Sequence, residues 1–216
     1  MSASLPERLA ALETATLHES GAEAVLSPDI RMLSGDRCAA GRALTVMCPP
    51  GDNLMIHAAV ARAEPGEMLV VQTHDASFGV WGEVLTVAAM ARGVVGLILD
   101  GSVRDLASIR RHNFPLFARG LALRGASKTR EGLINAPISC GGQPVRPGDL
   151  VVADESGIVV MAAQTAEAIV AAGEERVRRE AMIMNELRNG RTTMELLDLE
   201  TRLALLRPAS SRSGKA

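Results

Sequence analysis

Glu83, Arg104 and Asp105 fall within one segment, VWGEVLTVAAMARGVVGLILDGSVRD (residues 80–105), and are the side chains of this sequence whose types and spacing best suit chemistry. A pair of carboxylates facing a guanidinium makes a hard-oxygen site for a divalent cation and leaves the guanidinium for a substrate's oxygens. Gly79 and Gly82 flank Trp81 just before a helical run. The backbone there can approach a ligand and offer the N–H groups of Glu83, Val84 and Leu85, an arrangement suited to a carboxylate. Plainer roles exist for the same residues: Asp105 as a helix N-cap, and Glu83 as an acidic residue complementing a helix dipole.

The elements that must hold these residues follow from apolar periodicity and punctuation. Strands are expected at 42–48, 67–73 and 94–99, helices at 53–63, 83–92 and from Asp105 to Arg111, with Pro65-Gly66 and Gly93 marking turns. Asp52 is positioned to cap the first of those helices. The apolar runs read as strands buried on both faces. Glu83 begins one helix, and Arg104-Asp105 follows the next strand after a tight turn containing Asp100-Gly101. The chain therefore leaves one edge of the sheet and returns to it, which brings residues far apart in sequence close in space. From Pro115 to Ile158 the sequence reads as short strands, including ARGLAL, DLVVAD and GIVVM, separated by Gly141-Gly142 and Pro147-Gly148-Asp149 turns. After Ala162 it becomes a long charged helical region broken near Asn189-Gly190. Residues 1–206 are expected to form one α/β domain with C-terminal helices, and residues 207–216 a disordered tail.

Composition narrows the function. With 47% hydrophobic residues in a chain of 216 there is enough apolar material for a sizeable core, and a formal charge of −2 gives no footing for nucleic acid or an anionic membrane. Aromatic residues are only 2%, so platforms for stacking bases are nearly absent. No apolar stretch reaches the length of a membrane helix. Glu7, Arg8 and Glu13 interrupt what would be the apolar region of a signal peptide, so a cytoplasmic location is expected. Cys38, Cys48 and Cys140 are widely spaced and read as reduced thiols.

The order GDNLMIHAAV, PGEMLVV, WGEVLTVAAMARGVVGLILDGSVRD, FPLFARG, PGDLVVADESGIVV resembles the family of 4-hydroxy-4-methyl-2-oxoglutarate / 4-carboxy-4-hydroxy-2-oxoadipate aldolases, which also holds the regulator of ribonuclease E activity A. The likeness runs from Thr14 to Arg179, and the block from Gly82 to Asp105 is its most specific part. It implies a three-layer β/β/α swivelling-domain-like sandwich with a C-terminal helical extension, assembled as a homotrimer or homohexamer with sites between subunits. It further implies a lyase that cleaves a 4-hydroxy-2-oxo acid to pyruvate on Mg2+ or Mn2+, with oxaloacetate decarboxylation as a side reaction.

By the same resemblance Asp105 ligates the metal, Glu83 reaches it through water, and a Glu of an adjacent subunit's C-terminal helix completes the site. Glu180 is the best positional match, with Glu174 or Glu175 as substitutes. The 2-oxo acid would chelate the cation, and Arg104 would help stabilise the enolate. Glu83 stands where the aldolases usually have Asp, and Ser108 where they often have an acidic residue, so altered substrate or reduced rate is expected. The alternative is a non-enzymatic regulator binding a protein partner such as ribonuclease E. Lys128 reads as a surface lysine rather than an imine former, and His57 as a packed histidine. His74-Asp75 is expected near the pocket mouth.

Overall fold

Residues 3–206 are described by the computed structural model, and the expected tail at 207–216 lies outside them. The elements run α1 (Leu5–Glu19), β1 (Ala24–Val25), β2 (Arg31–Ser34), β3 (Ala39–Met47), α2 (Leu54–Arg62), β4 (Glu67–Gln72), β5 (Gly79–Trp81) and α3 (Glu83–Ala91). They continue with β6 (Gly96–Val103), α4 (Leu106–Arg111), β7 (Leu116–Leu121), β8 (Leu133–Ile134), β9 (Ile138–Cys140), β10 (Gln143–Val145), β11 (Leu150–Asp154) and β12 (Gly157–Met161). Helices α5 (Ala166–Arg188), α6 (Thr193–Leu196) and α7 (Leu199–Leu206) follow. It divides into two compact units, Met1–Gly173 and Glu174–Ala216.

The first unit is built on a mixed sheet in the order β1-β12-β11-β3-β4-β6-β7-β2, with β5 added on β6 and β8 on β3. Strands β3, β4, β6 and β7 are parallel to one another, and β11, β12 and β2 extend the sheet antiparallel. Side chains along a strand alternate between faces. Leu44, Val46, Leu69, Val71, Leu97, Leu99 and Leu116 accordingly pack under α2, α3 and α4, where they meet Ile56, Val60, Leu85, Ala89 and Ile109. Their neighbours Ala43, Met68, Val70, Ile98 and Phe117 face the other way, onto Ile138, Cys140 and Val145 of the β9-β10 hairpin. Helix layer, sheet and hairpin are the three layers of the β/β/α expectation. A third cluster packs α1 and the start of α5 over Leu150, Val152, Val159 and Met161.

Strand β6 departs from expectation. Asp100-Gly101 forms no turn, and the strand continues to Val103. Asp100 is claimed by the hairpin face instead: its Oδ2 accepts the Gly141 N–H at 2.7 Å, and its Oδ1 accepts from Arg119 Nε. A Cβ at Gly101 would lie 2.4 Å from Thr73 Oγ1, so the glycine here serves close strand packing. The N-terminal helix α1, absent from the sequence expectation, starts at a Ser4/Glu7 capping box with Pro6 in its first turn. It kinks at Glu13 (φ 60°), where Asp154 takes both the backbone N–H and the hydroxyl of Thr14, at 2.8 and 2.7 Å.

In the second unit the helical run breaks at Gly190 (φ 92°), as the Asn189-Gly190 pair suggested, and restarts on a Thr192/Glu195 capping box. No helix among the described residues is long and apolar enough to cross a membrane. The three cysteines are free thiols.

Candidate active site

Strands β5 and β6 lie parallel with Trp81 opposite Val103, and the N–H of Arg104 donates to Trp81 O at 2.8 Å. The two strands thus end level, and the turns that follow them, Gly82-Glu83 and Arg104-Asp105, meet. Gly82 is the N-cap of α3 and Asp105 the N-cap of α4. Asp105 adopts the left-handed conformation (φ 57°, ψ 31°), which Asp tolerates better than most residues. It caps no N–H of its own helix. Instead its Oδ2 accepts the Glu83 N–H at 3.3 Å and lies 3.7 Å from Arg104 Nε.

These contacts require a glycine at 82. A Cβ there would stand 2.4 Å from Asp105 Oδ2 and 3.2 Å from Arg104 Cγ. Beyond it, a Cβ at Gly125 would lie 3.3 Å from Arg104 Nη1. The guanidinium is therefore laid between the β5–α3 turn and the loop that follows β7. Buried bonds fix the first of these walls. Trp81, fully buried and stacked on Phe114, donates Nε1–H to Thr86 Oγ1 at 2.7 Å, and Thr86 donates to Gly82 O at 3.1 Å. Asn53 donates to Val80 O at 2.7 Å.

The second wall hangs on Asp52. Its carboxylate is fully buried and accepts from Ser127 Oγ (2.6 Å) and from the N–H groups of Thr129 (2.8 Å), Leu54 (2.9 Å) and Arg130 (3.2 Å). Burial opposes its ionisation, but this set of donors outweighs burial and holds the carboxyl well below the usual carboxylate range. The expected cap on α2 is present through Leu54, and it also ties a loop of the site to that helix.

Of the residues expected at the site, Gly82, Glu83, Arg104 and Asp105 are brought together. The side chains of Arg104, Asp105 and Glu83 are 47%, 46% and 42% exposed, so the site of a single chain is open to solvent. Val84 is exposed, and Leu85 turns its side chain into the core. Both contribute first-turn N–H groups that an α-helix leaves without an internal partner, while the N–H of Glu83 is already given to Asp105. Glu180 lies on α5 in the second unit, paired with Arg176 at 2.7 Å, and Glu175 pairs with Arg178 at 2.8 Å. Ser108 Oγ accepts from Arg111 Nη2 at 2.7 Å.

Among the described residues no cluster of three or more His, Cys, Asp or Glu side chains is arranged to hold a metal ion. Asp105 and Glu83 are the two carboxylates at these turns that could hold a Mg2+-like cation, which commonly takes one or two carboxylates and fills its octahedron with water and substrate oxygens.

Other residues keep the plainer roles. Lys128 is exposed. His57, on α2, has its pKa lowered by burial first and by the charge of Lys128 second, and no hydrogen-bond partner among the described residues reaches its Nε2. His74 and Asp75 line a cavity of about 290 Å³ with Gln72, Asp100 and Arg119, none of them a member of the Glu83/Arg104/Asp105 group. One contact beside the site was not anticipated: His112 Nε2 lies 3.2 Å from Glu83 Oε1. Its only trace in sequence is a histidine at the end of a short helix, seven positions after Asp105. Gly125 was likewise missed, because nothing local in a glycine shows what it approaches.

Comparison with known proteins assigns the class. The chain belongs to the RraA-like family (Aldolase/RraA), whose model matches residues 10–160. It is 38% identical over 137 residues to a Halalkalibacterium halodurans protein named as a candidate 4-hydroxy-4-methyl-2-oxoglutarate aldolase, a match covering 63% of this chain and 65% of that protein. The aligned region therefore spans just under two thirds of that relative's length. Among solved structures, an uncharacterised protein from Pseudomonas syringae pv. tomato superposes with TM-score 0.78 at 27% identity, over 89% of this chain and 92% of that one. Streptomyces coelicolor RraAS2, described as an unusual member of the RNase ES inhibitor RraA family, superposes with TM-score 0.76 at 25% identity, covering 85% and 97%.

Proposed function

We propose that this protein is a divalent-metal-dependent lyase that cleaves a 4-hydroxy-2-oxo acid by retro-aldol chemistry and releases pyruvate, with oxaloacetate decarboxylation as a side activity. The observation that carries the reading is the convergence of two strand-to-helix turns on one carboxylate oxygen, Asp105 Oδ2, with the Glu83 N–H at 3.3 Å and Arg104 Nε at 3.7 Å. The aldolase name of the Halalkalibacterium relative supports it.

Asp105 and Glu83 would hold Mg2+ or Mn2+, with Glu180 of a second copy in a homotrimer or homohexamer completing the set. When bound, the cation supplies Lewis-acid polarisation of the 2-oxo group. The first-turn N–H groups of Val84 and Leu85 receive the substrate carboxylate. Glu83 takes the proton of the 4-hydroxyl, directly or through a water, and that oxygen becomes a carbonyl as the C3–C4 bond breaks. The electron pair moves onto C3, giving the enolate of pyruvate. Arg104 offers its planar guanidinium fork to the developing negative oxygen. The proton taken by Glu83 is returned to C3, directly or through a water, and completes pyruvate. Decarboxylation of oxaloacetate passes through the same enolate, with CO2 leaving in place of the carbonyl fragment.

The test is pyruvate release from oxaloacetate with Mg2+ or Mn2+, with and without chelator, together with deuterium exchange at the methyl group of pyruvate. Chelator-sensitive activity in both, abolished in Asp105→Ala while the fold is retained, is the expected result. Absence of both activities in the wild-type protein refutes the reading. The neutral Ser108, bonded to Arg111, favours one competing reading, a regulator that acts by binding ribonuclease E. Co-purification with ribonuclease E in the absence of metal-dependent turnover is the result that would establish it.

A further inference from the structure

The Glu83 side chain is held by a partner that neither the sequence motif nor the proposed reaction requires. Its backbone N–H is on Asp105, the N-cap of α4, and its carboxylate Oε1 is 3.2 Å from Nε2 of His112, the C-cap of the same helix. Side chains of an α-helix lean toward its N-terminus, so the His112 imidazole reaches back from the end of α4 to a residue whose backbone N–H is on Asp105. We propose that His112 is a positioning residue, which fixes the Glu83 carboxylate alongside α4 and thereby sets the place from which that carboxylate acts on substrate. The inference rests on the lyase reading for its consequence but not for its geometry.

Three observations support the assignment. First, His112 stands on a rigid base. Its N–H donates to Ile109 O at 3.1 Å, Ile109 is fully buried, and Phe114, two residues on, is buried against Trp81. The next residue, Asn113, is tied to Asp36 at 2.9 Å. Second, the pair is half-exposed, with side chains 32% and 42% accessible, so it does little for folding stability. A contact of that kind, spanning 29 positions of sequence and lying beside the site, is better explained by placement of a group than by stabilisation of the fold. Third, a glutamate has one more methylene than an aspartate, and an unrestrained carboxylate at this position would sample many rotamers and crowd Asp105 with like charge. With Oε1 committed to His112, the carboxylate has one place, and Oε2 is the oxygen left to work. An Asp at 83, one methylene shorter, would lose this partner.

Crystal structures and kinetics of His112→Leu and His112→Gln together test the proposal. Gln carries an N–H donor in place of the imidazole and can keep a hydrogen bond to Glu83. In His112→Leu the Glu83 carboxylate is expected to leave its wild-type position, and in His112→Gln to keep it. The kcat for oxaloacetate decarboxylation is expected to fall about 10-fold in His112→Leu, with KM changed less than about 2-fold, and to recover to within about 3-fold of wild type in His112→Gln. An unmoved Glu83 in His112→Leu overturns the proposal, as does an equal loss of kcat in both variants. If the wild-type protein has no lyase activity, the proposed function fails by itself, and the position of Glu83 in the two crystal structures still decides what His112 does.

Discussion

Substituting Gly82 by alanine separates the geometry of the site from the stability of the fold. The backbone at Gly82 (φ −156°, ψ −169°) is extended and open to any residue, so alanine meets no conformational penalty there. Its Cβ would stand 2.4 Å from Asp105 Oδ2, whereas ordinary van der Waals contact begins near 3.4 Å. The oxygen must therefore withdraw by about 1 Å, a displacement that can cost on the order of 100-fold in rate when it affects a positioned reacting group. The Glu83 N–H bond, already 3.3 Å long, breaks with it. Asp105 is half-exposed and its carboxylate can swing into solvent, so the fold absorbs the change, and the lower chain entropy of alanine in the unfolded state offsets part of the loss. The thermal midpoint is expected to stay within about 4 °C of wild type, which for this size corresponds to about 1 kcal/mol. Deuterium exchange into pyruvate would be followed by NMR, with Mn2+ affinity measured by calorimetry. Exchange within about 3-fold of wild type, with Asp105 unmoved in a crystal structure, would refute the claim that Gly82 exists to admit that carboxylate.

Other perturbations test the walls of the site and its surroundings. Trp81→Phe removes the Nε1–H bond to Thr86 from a fully buried position and should cost about 2 kcal/mol, read as a midpoint drop of about 4–8 °C. Asp52→Ala strands donors on Ser127, Thr129, Leu54 and Arg130 and should cost about 3–5 kcal/mol in denaturant titration. The pKa of Asp52 is depressed on folding, so its contribution is complete above the ordinary carboxylate pKa of about 4 and is lost only as the pH falls through the lower folded value. His57 has a lowered folded pKa, so the unfolded chain binds the proton first and stability declines as the pH drops below 6.5. His57→Leu should flatten that part of the stability profile, and an unchanged slope in urea titrations between pH 7 and about 5 would show that His57 does not produce it.

Much of the site was legible in the primary structure because its parts are local. The glycine before a helix, the acidic residue that opens it and the Arg-Asp pair after the following strand are all properties of two strand-to-helix junctions. A parallel pair of strands joined by a helix returns the chain to the same edge whatever else it packs against. The strands of the core were likewise readable, since Leu69-Val70-Val71 and Leu97-Ile98-Leu99 are apolar on both faces and so mark the centre of a layered sheet. The N-terminal helix was missed because its kink at Glu13 interrupts the periodicity, and the contact that rewards the kink, with Asp154, is 140 residues away.

Asp100 shows where local reading misleads. Next to a glycine it looks like a turn, yet it is held inside β6 by Arg119 and by Gly141 of the hairpin layer. The sequence determined the class of fold and the pairing of Glu83 with Arg104-Asp105, since both follow from side-chain alternation and the path of one strand-helix-strand unit. Tertiary structure alone decided how those groups are aimed. The left-handed turn at Asp105, the approach of Gly82 and Gly125 to Arg104, the Asp52 clamp and the grip of His112 on Glu83 each depend on distances between segments that only the packed core sets.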